Sequence, residues 1–82
     1  MNREQIIAAL KALLGTQPKL KLDLNAITEG TRLDQMGFDS ISILDFIYDV
    51  ESRFSVSTEI AELVRMERVK DLIDLLEAKL AV

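Results

Sequence analysis

Residues 37 to 42, GFDSIS, set a hydroxyl beside a carboxylate at the head of an apolar-rich stretch. A serine next to an acid could act as a nucleophile if a general base stood within reach. The chain has no His and no Cys, so the imidazole that usually activates a serine is missing, as is a thiolate that could replace it. Other unaided chemistries fare no better. The sequence holds no glycine-rich phosphate loop and no EF-hand spacing of acids. Asp45 and Asp49, one helical turn apart, could form an acid–base or metal pair, but the commoner use of such a pair is a solvated helix face. No metal is assigned, and the chain is not expected to be an enzyme. Any reactive group must be brought to it.

The elements that position Ser40 follow from the apolar spacing. Asn2 and Gln5 have the separation of a capping box, and Ile6, Ile7, Leu10, Leu13 and Leu14 continue as one helical stripe. Gly15 stands where a C-terminal cap belongs, and Pro18 prevents continuation. From Thr16 to Asp39 no period persists except the alternation KLKLDL at 19–24. A lone strand would leave its backbone unpaired, so this segment is expected to be a long loop anchored by Leu24, Ile27, Leu33 and Met36. A second helix is expected over Ser40 to Phe54 with Asp39 as N-cap. Ile43, Phe46, Ile47, Val50 and Phe54 form its inward set, and Ile41, Leu44 and Tyr48 a displaced apolar stripe.

One helix over the last third would be too long for so small a core to cover. A break is expected near Arg65 to Glu67, separating a short third helix with Ile60, Leu63 and Val64 from a fourth with Val69, Leu72, Ile73, Leu76 and Leu80. The fold class is therefore all-α: a small four-helix bundle with a long loop between helices one and two and a short third helix, forming a single domain over 1–82.

Composition narrows the function classes. Eighty-two residues, 49% of them apolar with only four aromatics, make one modest aliphatic core. The absence of cysteine excludes a disulfide framework and fits a reducing compartment. Glu4, Gln5 and Lys11 in the first helix make it unlike a signal peptide or a membrane span. A cytoplasmic monomer with no stable membrane insertion is expected. A net charge of −4 argues against nucleic acid. Residues 34 to 62 hold seven acids and one base, Arg53, while the remainder holds seven acids and nine bases. That acidic middle suits basic partners, and its repulsions make salt-sensitive stability expected.

The run MGFDSISILDFIYDVESRF resembles the attachment segment of acyl carrier proteins. In that family a Gly-x-Asp-Ser-Leu/Ile core opens the second helix, and its serine receives 4'-phosphopantetheine from coenzyme A through a phosphopantetheinyl transferase. The resemblance implies that Ser40 is the attachment serine, Asp39 the acid before it and Gly37 the glycine of the turn. It further implies that Ile41, Leu44 and Tyr48 form an apolar face for partner enzymes, that Asp45 and Glu51 occupy acidic docking positions, and that Phe54 is the closing aromatic. The likeness extends along nearly the whole chain, residues 16 to 30 matching only as a long loop. Backbone N–H groups at the helix start could favour the phosphate of the arm. An acyl chain could be admitted among Ile43, Phe46, Ile47, Leu63 and Val69.

Such a protein is expected to carry acyl groups as thioesters in fatty-acid, polyketide or related lipid biosynthesis. Its partners would be an acyltransferase, a ketosynthase or acyl-activating enzymes. Departures point to a specialised pathway: Phe38 where the family often has a small residue, Ser42 and Ser52 where acids are frequent, Tyr48 on the partner face, and Glu67 replacing a threonine-like cap before the last helix. Two alternatives stand beside this reading. One is an aminoacyl or peptidyl carrier of a non-ribosomal pathway, and the other an unmodified helical adaptor.

Overall fold

Helix α1 (Arg3–Leu14) begins with the expected capping box. Asn2 Oδ1 accepts the Gln5 N–H at 2.8 Å, and Gln5 Oε1 accepts the Asn2 N–H at 2.9 Å. The computed structural model describes residues 1–18, 20–21 and 23–81. Ile6, Ala9, Leu10 and Leu14 bury the inward face of α1, and Ile7 and Leu13 flank it. Gly15 is the C-cap, but with φ −63 it lies in the right-handed region, not the left-handed one that usually calls for glycine. A Cβ here would stand 3.3 Å from Leu24 Cδ1, close enough that the leucine would have to shift by a few tenths of an ångström.

Two 3₁₀ turns, Leu24–Ala26 and Leu33–Gln35, punctuate the long first connection. Ile27 and Met36 are buried in the core while Leu24 and Leu33 pack at its edge, so all four expected anchors hold the loop down. In the alternating run 19–24, Lys19 and Leu22 lie outside the described residues, and the rest forms no strand.

The later part of the loop is bonded to the start of helix α4 (Val69–Leu80). Val69 N–H donates to the Thr31 carbonyl at 2.9 Å and Lys70 N–H to the Glu29 carbonyl at 2.8 Å, while Leu33 N–H donates to the Glu67 carbonyl at 2.9 Å. The Val69 and Lys70 bonds satisfy donors that the first turn of a helix cannot pair internally. Asp71 reaches back to accept the N–H groups of Glu67 and Arg68 at 2.9 and 3.0 Å. The N-cap is thus Arg68, one residue beyond the expected Glu67, and the cap is supplied by Asp71. Chain separation from helix α3 (Ile60–Leu63) falls where the spacing placed it.

Helix α2 (Ser42–Phe54) buries Phe46, Ile47, Val50 and Phe54, with Ile43 half-buried beside them. It ends at Ser55, whose φ of 55 is left-handed. In α3 only Leu63 packs on the core, while Ile60 and Val64 stand in solvent. Among the described residues the core comprises fourteen apolar side chains and no buried polar one, and no helix is long and apolar enough to cross a membrane.

Ion pairs tie the elements at the surface. Arg3 meets Glu29 of the loop and both Asp74, at 2.9 Å, and Glu77 of α4. Lys79 of α4 reaches Glu62 of α3 at 3.1 Å. Lys70 and then Arg3 hold the Asp74 carboxyl below its ordinary range, and the Glu67 and Arg68 N–H groups do the same for Asp71. The Glu59 N–H, then Lys79, lowers Glu62. Carboxylates lowered in the folded state contribute stability above their unfolded pKa and lose it as pH falls through the folded value. Asp74 is exposed and Asp71 and Glu62 are half-buried at the surface, so each contribution is small and screened.

Two outcomes follow for stability. Thermal unfolding should show a lower midpoint at about pH 3 than at about pH 6, because those carboxylates must be protonated; a midpoint that stays level or rises would contradict the pairing described. Ser55→Gly should raise stability by about 0.5–1 kcal/mol by relieving a left-handed non-glycine residue, and a destabilised variant by denaturant titration would count against that geometry.

Candidate functional site

Gly37, Phe38, Asp39 and Ser40 form the turn that feeds α2. Gly37 has φ 95, a conformation costly for any residue with a Cβ, and it reverses the chain after the buried Met36. Phe38 then stacks on Phe46, with ring centroids 5.4 Å apart and planes 15° apart. This contact fixes the turn against the core side of α2.

Asp39 sets the start of the helix by hydrogen bonding. Its Oδ1 accepts the N–H of Ile41 at 3.0 Å and of Ser42 at 2.7 Å, and its carbonyl accepts the Ile43 N–H at 3.1 Å. Ser42 completes the arrangement: its Oγ accepts the Asp39 N–H at 3.0 Å and donates to Asp39 Oδ1 at 2.8 Å. Regular helix begins at Ser42, two residues later than expected, because 40 and 41 form a turn under this cap. The capping function of Asp39 nevertheless stands. Ser42 was missed as a cap partner, although Asp-x-x-Ser has the spacing of a capping box with serine in the distal place.

The cap also revises the electrostatics. The N–H groups of Ile41 and Ser42 already donate to Asp39, so they are not available to seat an anion. Ser40 itself is exposed, and among the described residues its hydroxyl has no hydrogen-bond partner. It lies on the rim of an open groove of about 570 Å³ between α2 and α3. Aliphatic and aromatic side chains make up the lining except for Asp34, Asp39 and Ser40. Ile43, Ile47 and Leu63 line this groove, as expected of residues that could admit an apolar chain. Phe46 and Val69 do not: Phe46 is 1% exposed beneath Phe38, and Val69 borders a separate hollow of about 280 Å³ against α1.

The other candidate residues divide. Ile41, Leu44 and Tyr48 are exposed along one face of α2, and Asp45 stands exposed beside them. Glu51 is half-buried, and its Oε2 accepts the Thr58 N–H at 2.7 Å and the Thr58 hydroxyl at 3.1 Å. It holds the segment after α2 in place. Asp49 accepts from Gln17 Nε2 at 3.1 Å, across from α2 to the first loop. Among the described residues no three His, Cys, Asp or Glu side chains gather as a metal site.

Comparison with known proteins identifies the architecture. Residues 4–76 match the family model described as the phosphopantetheine attachment site. The acyl carrier protein of Thermotoga maritima is 34% identical over 80 residues, covering 96% of each chain. An acyl carrier protein homolog of Mycoplasmopsis pulmonis is 34% identical over 71 residues, 87% of this chain and 96% of that one. Among solved structures, the crystal structure of the Thermotoga maritima acyl carrier protein superposes with a TM-score of 0.82 at 31% identity, covering 99% of this chain and 93% of that one. A hexanoyl acyl carrier protein from the actinorhodin polyketide synthase of Streptomyces coelicolor gives 0.75 at 26%, covering 88% and 86%. An exposed serine on a capped turn, in a helical fold shared with these relatives over almost its entire length, leads to one assignment: the chain belongs to the acyl carrier protein family, a carrier and not an enzyme, built on the domain that carries a covalently attached 4'-phosphopantetheine.

Proposed function

We propose that Ser40 receives the phosphopantetheine arm and that the loaded protein carries acyl intermediates in fatty-acid, polyketide or related lipid biosynthesis. The observation that carries this reading is the Ser40 hydroxyl, exposed on the rim of an apolar groove and unbonded among the described residues. A phosphopantetheinyl transferase supplies the activation that a chain without His or Cys cannot. When attached, the arm contributes a terminal thiol that holds an acyl group as a thioester. Asp39 acts by positioning: its carboxylate fixes the turn from which Ser40 projects. Seating of the arm's phosphate on the helix start is not part of the proposal, since Asp39 occupies those donors.

The groove favours acyl cargo over aminoacyl cargo. Its walls gain by burying an apolar chain and offer little to an ammonium group away from Asp34 and Asp39. Similarity to a hexanoyl-loaded carrier of a polyketide synthase supports the same choice. The protein works as a single domain in the cytoplasm, serving acyltransferase, ketosynthase or acyl-activating enzymes. The departures at Phe38, Ser42, Tyr48 and Ser52 suit a specialised pathway.

Incubation with coenzyme A, magnesium and a phosphopantetheinyl transferase should add about 340 Da to the wild type, the mass of one arm, and nothing to Ser40→Ala. No gain with several active transferases would overturn the carrier reading. After loading with a medium-length chain, NMR shifts should move at Ile43, Ile47 and Leu63 while Val69 stays unchanged. Shifts confined to the arm would rule out shelter in the groove.

A further inference from the structure

Phe38 supplies the only ring among the described residues that line the groove beside Ser40. The other apolar walls are aliphatic side chains and the adaptable thioether of Met66. Phe38 is half-buried, and its ring lies flat on that of Phe46. Phe46 and Met36 are sealed in the core, and neither reaches the groove. The Phe38 ring therefore stands between the groove and the centre of the bundle.

Its main chain is pinned on both sides. Gly37 makes the left-handed turn before it, and the Asp39 N–H after it is bonded to Ser42 Oγ at 3.0 Å. The ring cannot swing aside with a loose loop. The groove is also short. Along α2 it is lined by Ile43, Leu44 and Ile47, one helical turn or about 6 Å of axis, and Val50 and Glu51 take no part. A chain that outgrows this turn must either pass inward by Phe38 or leave into solvent. Passing inward means unstacking the aromatic pair and parting a close-packed core. The hollow beside Val69 shares no described lining residue with the groove, so it does not extend it.

Resting on the reading that Ser40 carries acyl cargo into this groove, we infer that Phe38 sets the length of chain the protein shelters. A short or medium acyl chain lies against the ring and is covered by Ile43, Ile47 and Leu63. Methylenes beyond that point bury no further area and gain nothing by staying, so the end of a long chain projects into water. The favoured cargo is a short- to medium-chain acyl thioester, and the residue that makes the choice is the aromatic two places before the attachment serine.

The test loads wild type, Phe38→Ala and Phe38→Leu from hexanoyl-, octanoyl-, dodecanoyl- and hexadecanoyl-coenzyme A with a phosphopantetheinyl transferase. Two readouts are taken: retention on a hydrophobic-interaction column, and amide NMR shifts against the same protein bearing the arm alone. In wild type, retention should stay level from hexanoyl to octanoyl and increase at dodecanoyl and hexadecanoyl as the tail emerges. Shifts should move at Ile43, Ile47 and Leu63 and stay unchanged at Phe46 and Met36 for every chain. In Phe38→Ala the dodecanoyl form should elute near the octanoyl form, with shifts now reaching Phe46 and Met36, and Phe38→Leu should fall between. Wild-type dodecanoyl shifts as large at Phe46 and Met36 as at Ile43 would overturn the inference, and so would folded variants that reproduce the wild-type series. The wild-type series and Phe38→Leu decide the matter if Phe38→Ala does not fold. A chain that accepts no arm refutes the attachment reading, and this inference with it. An arm accepted without groove shifts for hexanoyl refutes sheltered cargo. Groove shifts that are indifferent to Phe38 refute only the role of the ring.

Discussion

Helix α4 starts with N–H groups that no residue of its own can accept, and the carbonyls of Glu29 and Thr31 take them. Much else depends on this junction. It draws the long first connection across the bundle, so that Ile27 and Met36 fall into the core on either side of the strap. It also separates α3 from α4, because Arg68 is extended where it bridges to Arg32 of the strap and cannot remain helical. The short α3 is then free to stand apart from α2, and the space between them is the groove beside Ser40. Arg3 reinforces the arrangement from outside by joining Glu29 to α4.

At the other end of the loop a second cap does comparable work on a smaller scale. Asp39 and Ser42 satisfy each other's backbone and side-chain groups, which leaves Ser40 between them with its hydroxyl outward. Phe38 turns inward onto Phe46 in the same few residues. Alternation of an inward aromatic, a capping acid and an outward serine is what makes the hydroxyl both rigidly placed and accessible. Carrier proteins bring no catalytic apparatus of their own, so such placement is the protein's main contribution to the chemistry done on its cargo.

Helices α1, α2 and α4 were legible from apolar spacing because each buries one clean stripe against an aliphatic core, and their caps were legible where side chains closed on near neighbours, as Asn2 does with Gln5. What depended on distant partners was not. Glu51 has the spacing of a fully exposed acid, but it is half-buried and its carboxylate accepts from Thr58, seven residues on. The cap of α4 lies at Arg68 because Asp71 reaches back and the loop carbonyls approach from elsewhere, which no local pattern records. Val69 and Phe46 carry the right residue types for an acyl shelter, yet tertiary packing assigns one to a different hollow and the other to the sealed core. The exposure of Ile60 and Val64 depends on where α3 sits, which apolar spacing does not record.

Two serines within the motif, Ser40 and Ser42, could each offer a hydroxyl to the arm. Ser42 Oγ is engaged with Asp39, whereas Ser40 is exposed and its Oγ unbonded among the described residues. Fragmentation mass spectrometry of the transferase-modified protein tests this most directly. The added mass should localise to Ser40 in the peptide spanning the motif. Localisation to Ser42, or to a residue outside GFDSIS, would contradict the structural account of the site.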